Sequence, residues 1–150
     1  MKNFLRGFIA IWYLLGWMTH VYLVFTAPQD YQAFGATALI PAYKTFWQNF
    51  IMPHINFFVL LLVGFEIVVG LLLINKGKWV KIGLVFSMLF NLFLIQMGLT
   101  TQTQDFWLDF VANRMPNIIF IALQIPLFFG EFQKTLWEEI KSSFVKKNVR

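Results

Sequence analysis

Ile55 to Ile74 reads INFFVLLLVGFEIVVGLLLI, and after Asn75, Lys76, Gly77 and Lys78 the chain resumes as WVKIGLVFSMLFNLFLIQMGL from Trp79 to Leu99. A helix rising 1.5 Å per residue needs about 20 apolar residues to cross about 30 Å of hydrocarbon. Both runs are that long, and the polar residues between them leave room only for a tight turn. The stretch therefore predicts a transmembrane helical hairpin. Outward from it, Phe4 to Phe25 is another run of this kind. The last is shorter, since Ile118 to Phe129 contains Gln124 and Pro126. Pro116 suits a first helical turn, where its missing N–H costs nothing, and the helix is expected to pass Gly130 toward Trp137. The expectation is one all-α membrane domain over 1–150, a four-helix bundle with spans at 4–25, 55–74, 79–99 and 116–137.

Composition agrees. The chain is 59% hydrophobic and 13% charged, with 19 Phe and 6 Trp, against roughly 45–50% and 25% in a soluble domain. That excludes a disordered chain, which lacks apolar groups to offset its ordering entropy, and a nucleic-acid module, whose basic residues would form a stripe. The absence of Cys removes disulfides, thiolate nucleophiles, iron–sulfur clusters and four-span thiol oxidoreduction.

The net charge of +5 is distributed unevenly. Lys2, Arg6, Lys76, Lys78, Lys81, Lys134, Lys141, Lys146, Lys147 and Arg150 all fall on one side of the hairpin arrangement, with only Lys44 and Arg114 on the other. Cytoplasmic loops retain Lys and Arg, so both termini are expected in the cytoplasm, and the setting in a bacterial inner membrane. The first run is expected to remain a span: it is too long for a signal peptide, and no small-residue cleavage site precedes Pro28. Between Pro41 and Pro53, Tyr43, Phe46, Trp47, Phe50 and Ile51 share one helical face, which predicts a short helix in the outer interface. Phe132, Leu136, Ile140 and Phe144 recur every four residues and predict an amphipathic helix at the inner face. Thr100 to Arg114 reads as a solvated loop with aromatic anchors.

Polar residues inside spans are the candidates for chemistry. Glu66 is the only acid in the apolar parts of the spans, and it acts either as a hydrogen-bonded packing group or as a proton-handling or ligand-binding group. Gly83, Ser87 and Asn91 form a stripe that reads as a packing seam. Asn117 and Gln124 share a face, as do Trp12, Gly16 and His20. Counted from the inner ends at 1.5 Å per residue, Gln124 lies about 10 Å deep, Glu66 about 12 Å, Asn91 about 20 Å and His20 about 24 Å. With the stripes facing inward these residues form a staggered ladder, in which Gln124 and Asn91 are the expected partners of Glu66. It would be a proton path, a quinone or lipid pocket, or a satisfied structural network. His20 and His54 are weak metal candidates, because no two His sit at helical spacing.

The run PHINFFVLLLVGFEIVVGLLLINKGKWVKIGLVFSMLFNLFLI, from Pro53, resembles the DoxX-like family of small four-helix membrane proteins. In these a Pro at the outer end of the second span precedes a Glu–x–x–x–Gly, here Glu66 and Gly70, followed by a short basic loop, here Lys76 to Lys81. Arg6 and Gly16 in the first span are similar in outline. Many members carry a Lys near the end of the first span, where this chain has His20. The resemblance implies a membrane subunit, in some members tied to thiosulfate:quinone oxidation or redox-protective assemblies and in others to cargo binding. With no catalytic constellation in view, the first expectation is a non-catalytic integral subunit that anchors or assembles a larger membrane complex of respiratory or redox type. The alternative is a quinone- or lipid-binding redox subunit with its site around Glu66, and a small transporter comes third. The expected partners are membrane lipids and other membrane subunits or further copies of this chain, with no nucleic acid.

Overall fold

The computed structural model describes residues 2–147, of which 143–147 are described by their backbone alone. Every regular element among them is helical. Helix α1 (Lys2–Thr26) leads through a 3-10 turn (Pro28–Tyr31) into the short α2 (Gln32–Ala36). The continuous helix α3 (Pro41–Ile74), then α4 (Lys78–Met97) and α5 (Phe106–Phe128) come next, and α6 (Leu136–Lys147) closes the described chain. Four of these helices, α1, α3, α4 and α5, are long and apolar enough to cross a membrane. Their large outward side chains, Phe4, Leu15, Phe57, Leu60, Leu89 and Leu92 among them, are exposed, as lipid-facing positions must be.

The helix expected between Pro41 and Pro53 exists, but it is the first part of α3 rather than a separate element. Its first turns (Pro41–Phe46) pass through a π turn (Trp47–Ile51) and a 3-10 turn (Met52–His54) into Ile55–Ile74. A second π turn, Phe110–Arg114, again stands just before a proline, Pro116. Proline has no N–H to give to the carbonyl one turn back. In each case the widened i→i+5 turn lets the helix continue across the missing donor.

The fourth span departs from the expected 116–137 at both ends. It begins at Phe106, where the Asp105 carboxylate accepts the Leu108 N–H at 2.6 Å, an N-cap that satisfies an orphan donor. It stops at Phe128, two residues after Pro126. There Lys81 Nζ donates to the carbonyls of Leu127 and Phe128, the former at 3.3 Å, which places a cation at the negative end of the helix dipole.

Helix α1 lies closely along α3 because small residues meet bulky ones. A Cβ on Gly70 would fall 2.6 Å from Leu14 Cγ, and one on Gly16 would fall 3.5 Å from Glu66 Oε1. Near the basic end, Ile9, Ala10, Tyr13, Val69, Leu73, Val80, Leu84 and Leu127 form a buried cluster. At the opposite end Val24, Tyr31, Ile51, Ile55 and Val59 form a second.

Two Arg residues are buried. Arg6 has no exposed surface; its guanidinium lies 4.9 Å from the Phe132 ring and donates to the Lys134 carbonyl at 3.3 Å. Arg114, expected in a solvated loop, is buried as well. Its Nη1 donates to the Ile95 carbonyl at 2.7 Å and the Gln96 carbonyl at 3.2 Å, its Nη2 donates to the Thr37 carbonyl, and its Nε meets Asp109 at 3.2 Å. Asn113 joins this knot by donating to the Thr101 carbonyl and to Asp109, each at 2.8 Å. The π turn explains the geometry, since it brings residues five apart onto one face.

Phe132 precedes α6 instead of belonging to it, because Thr135 begins the helix. Its N–H donates to Glu138 Oε2 at 2.8 Å, and the Glu138 N–H donates to Thr135 Oγ1 at 3.2 Å, a reciprocal cap. The Thr135 N–H is the first cause holding the Glu138 carboxyl below its ordinary range. Leu136 is buried, whereas Trp137 and Ile140 are exposed. The side chains of Phe144, Lys146 and Lys147, and all of Arg150, lie outside the described residues.

Candidate functional site

Between the two apolar clusters the bundle holds a partly open cavity of about 560 Å³. Its wall is mostly rings and aliphatic chains: Trp12, Tyr13, Phe34, Trp47, Phe58 and Phe90 among the aromatics, with Ile55, Val59 and Leu62 from α3. The polar side chains in the wall are His20, Glu66, Asn91 and Asn117, with the Tyr13 and Tyr31 hydroxyls. No Lys or Arg lines it.

Three of these groups stand in line. Tyr31 Oη is 2.9 Å from His20 Nδ1, and His20 Nε2 is 3.5 Å from Glu66 Oε1. Glu66 is 5% exposed, and its second oxygen, Oε2, is buried without a hydrogen-bond partner. Gly16 lies beside the carboxylate, and a Cβ there would stand in ordinary contact with it, 3.5 Å from Glu66 Oε1. Tyr31 is held from behind by Trp47, whose Nε1 donates to the Tyr31 carbonyl at 2.8 Å. Trp47 in turn packs against Gly35, where a Cβ would collide with its Cδ1 and Cγ.

Glu66 therefore meets His20, whereas Gln124 and Asn91 were expected. The expected depths hold only if the inner ends of all spans are level. In the structure α1 extends past that level, since Arg6 is buried under Phe132, and Ala10 lies against Gly70. The shift lowers His20 toward Glu66, and their side chains cover the rest of the gap. The stripes also do not all face inward. Trp12 is 61% exposed even though its ring packs 5.8 Å from Phe120.

Asn91 belongs to a neighbouring, satisfied network. Its Nδ2 donates to Tyr13 Oη at 3.2 Å and to the Ser87 carbonyl at 2.8 Å, and Ser87 Oγ donates to Tyr13 Oη at 2.9 Å. With Gly83 buried against Leu72 and Leu73, this is the packing seam that the Gly83, Ser87, Asn91 spacing predicts. Asn117 lines the cavity with Nδ2 buried and unpartnered. Gln124 lies outside the lining; its Nε2 donates to the Phe120 carbonyl at 3.1 Å, and its Oε1 has no partner. His54 is exposed, away from the cavity, with its ring against Phe50. Among the described residues no three metal-ligating side chains cluster.

Tyr13 and Tyr31 do not stand out in the sequence as site residues. Tyr13 carries one signal, since hydroxyl-bearing aromatics within a span need a partner. Tyr31 carries none, because it reaches His20 only through the fold of the connection after α1. Burial first, and the negative field of Glu66 second, push the Tyr31 hydroxyl up to about 12. An acid whose folded value is raised adds stability below its unfolded value, near 10, and loses it as pH rises through the folded value. Tyrosinate absorbance followed by pH should therefore show one fewer late-ionising group in Tyr31→Phe than in the parent, whose stability should fall above pH 10.

Comparison with protein-family models, with characterised proteins and with solved structures yields no match.

Proposed function

We propose that this chain is an integral membrane protein that holds a small membrane-soluble molecule, a quinone or a lipid, in the cavity beside Glu66. One observation carries the reading: a cavity of about 560 Å³ with an apolar, ring-rich wall and a few convergent polar groups has the size and make-up of a small-molecule site. The reading places the basic end, with Lys2, Lys76, Lys78 and Lys81, in the cytoplasm of a bacterial inner membrane. It keeps the DoxX-like kinship suggested by Pro53, Glu66 and Gly70. A role as a subunit of a larger redox assembly goes with it, supported by the outward Trp137 and Ile140 of α6, which suit a partner or the membrane surface.

The test is purification in mild detergent with extraction and identification of the bound small molecule. Leu62→Trp fills the cavity from a half-buried position and should cut ligand content at least tenfold with little change in unfolding midpoint. Retention of the ligand by that variant would overturn the reading. Glu66→Gln keeps size and hydrogen bonding and should leave stability intact. Glu66→Leu removes the carboxyl that His20 Nε2 faces at 3.5 Å and leaves the imidazole beside an apolar group, which should cost about 1–3 kcal/mol.

A further inference from the structure

The cavity has a charge character that narrows what it accepts. No Lys or Arg lines it, and its one acid faces its one histidine at 3.5 Å. His20 and Glu66 are already committed to each other. A lipid phosphate or fatty-acid carboxylate would enter without a counter-cation, and a lipophilic cation would compete with His20 for the only carboxylate. Charged groups in so apolar a wall are costly unless paired.

Two side chains of the wall each have a hydrogen bond still unmade. Asn117 Nδ2 is a donor lacking an acceptor, and Glu66 Oε2 lacks any partner. Both residues line the cavity, one from α5 and one from α3. An amide N–H calls for a carbonyl or hydroxyl oxygen. A carboxyl oxygen calls for a hydroxyl, which donates to the carboxylate or accepts from the neutral acid. The rings of Tyr13, Phe90 and Phe120 line the same space and suit a flat ring by stacked or edge contacts.

We infer that the cavity takes an uncharged, ring-bearing molecule whose head carries hydroxyl or carbonyl oxygens, held beside the Asn117 amide and the Glu66 carboxyl, in preference to an anionic or cationic amphiphile. The inference rests on the cavity being a binding site and specifies its ligand class.

Equilibrium binding to the full-length chain in detergent tests it with four probes: a decyl-substituted benzoquinone, its quinol, laurate and tetraphenylphosphonium. The quinol or the quinone should bind at least tenfold tighter than either ion, and Leu62→Trp should abolish that binding. Asn117→Asp, nearly equal in size, replaces the donor by an acceptor and should weaken the neutral probe at least tenfold while the unfolding midpoint stays near the parent's. Asn117→Leu should weaken it similarly. Equal or tighter binding of laurate or tetraphenylphosphonium, lost in Leu62→Trp, would overturn the ligand class and leave the cavity as a site. Neutral-probe binding indifferent to both Asn117 variants would overturn the assigned head contacts. Failure of every probe to bind in a Leu62-dependent manner would overturn the inference together with the function proposed above.

Discussion

Replacing Arg114 by Met should lower stability by about 3–5 kcal/mol, the usual cost of removing one member of a buried ion pair. Arg114 is 4% exposed, and the partners of its guanidinium come from separate parts of the chain: Asp109 in α5, the carbonyls of Ile95 and Gln96 near the end of α4, and the Thr37 carbonyl just after α2. Met fills much of the volume but satisfies none of them. Arg114→Lys keeps the charge and loses the planar fork, so it should fall between parent and Met. Asp109→Asn should cost less than Arg114→Met, because the Asp109 side chain is 25% exposed and water can replace part of what it loses. Unfolding midpoints in detergent read all three. A midpoint for Arg114→Met equal to the parent's would show that the knot contributes nothing to stability.

Gly98→Ala should be the second large loss, about 2–5 kcal/mol, from two causes with independent origins. Gly98 has φ 82° and ψ −175°, a region that L side chains hardly enter. Its Cβ would also fall 2.6 Å from Thr37 Oγ1 and 2.8 Å from Arg114 Nη1, and both atoms are already committed to carbonyls. Gly77→Ala is the control. Gly77 has φ 60° with nothing within 4 Å of its would-be Cβ, so it carries the backbone cost alone and should be the milder variant. Since Gly98→Ala displaces Arg114, its effect in an Arg114→Met background should shrink, and the two losses should not add. Full additivity, measured as unfolding free energies of the four proteins in the cycle, would sever Gly98 from the knot.

Both losses fall at the end of the bundle beyond the cavity, next to the stretch Thr100 to Arg114 that the sequence presents as a loop. Phe106 to Arg114 is helical instead, and, like the helix that begins at Pro41, it includes a π turn before a proline. Apolar residues recurring at a period of 3.6 do not disclose such turns, because each turn inserts a residue and rotates the remainder of the helix. That is why Arg114 and Asp109, five apart, do not read as neighbours. The contact of Tyr31 with His20 is hidden for a related reason, since it depends on how the Pro28–Tyr31 turn carries the chain back over α1.

The sequence by itself determined that the chain is helical and suited to a membrane, with spans close to their observed places wherever the apolar run is unbroken, as at Ile55–Ile74. Length and hydropathy are properties of contiguous residues, so they survive without knowledge of packing. It also marked Glu66, His20, Asn91 and Asn117 as polar groups inside spans, because a polar side chain in hydrocarbon stands out whatever surrounds it. Which of them meet was decided only by the tertiary structure. The offset of α1 against α3, permitted by Gly70, brings His20 to Glu66, gives Asn91 to Tyr13 and leaves Asn117 with a donor unspent beside the cavity. Axial register between helices depends on how small residues let bulky neighbours seat across the interface, and that information belongs to pairs of segments far apart in the chain.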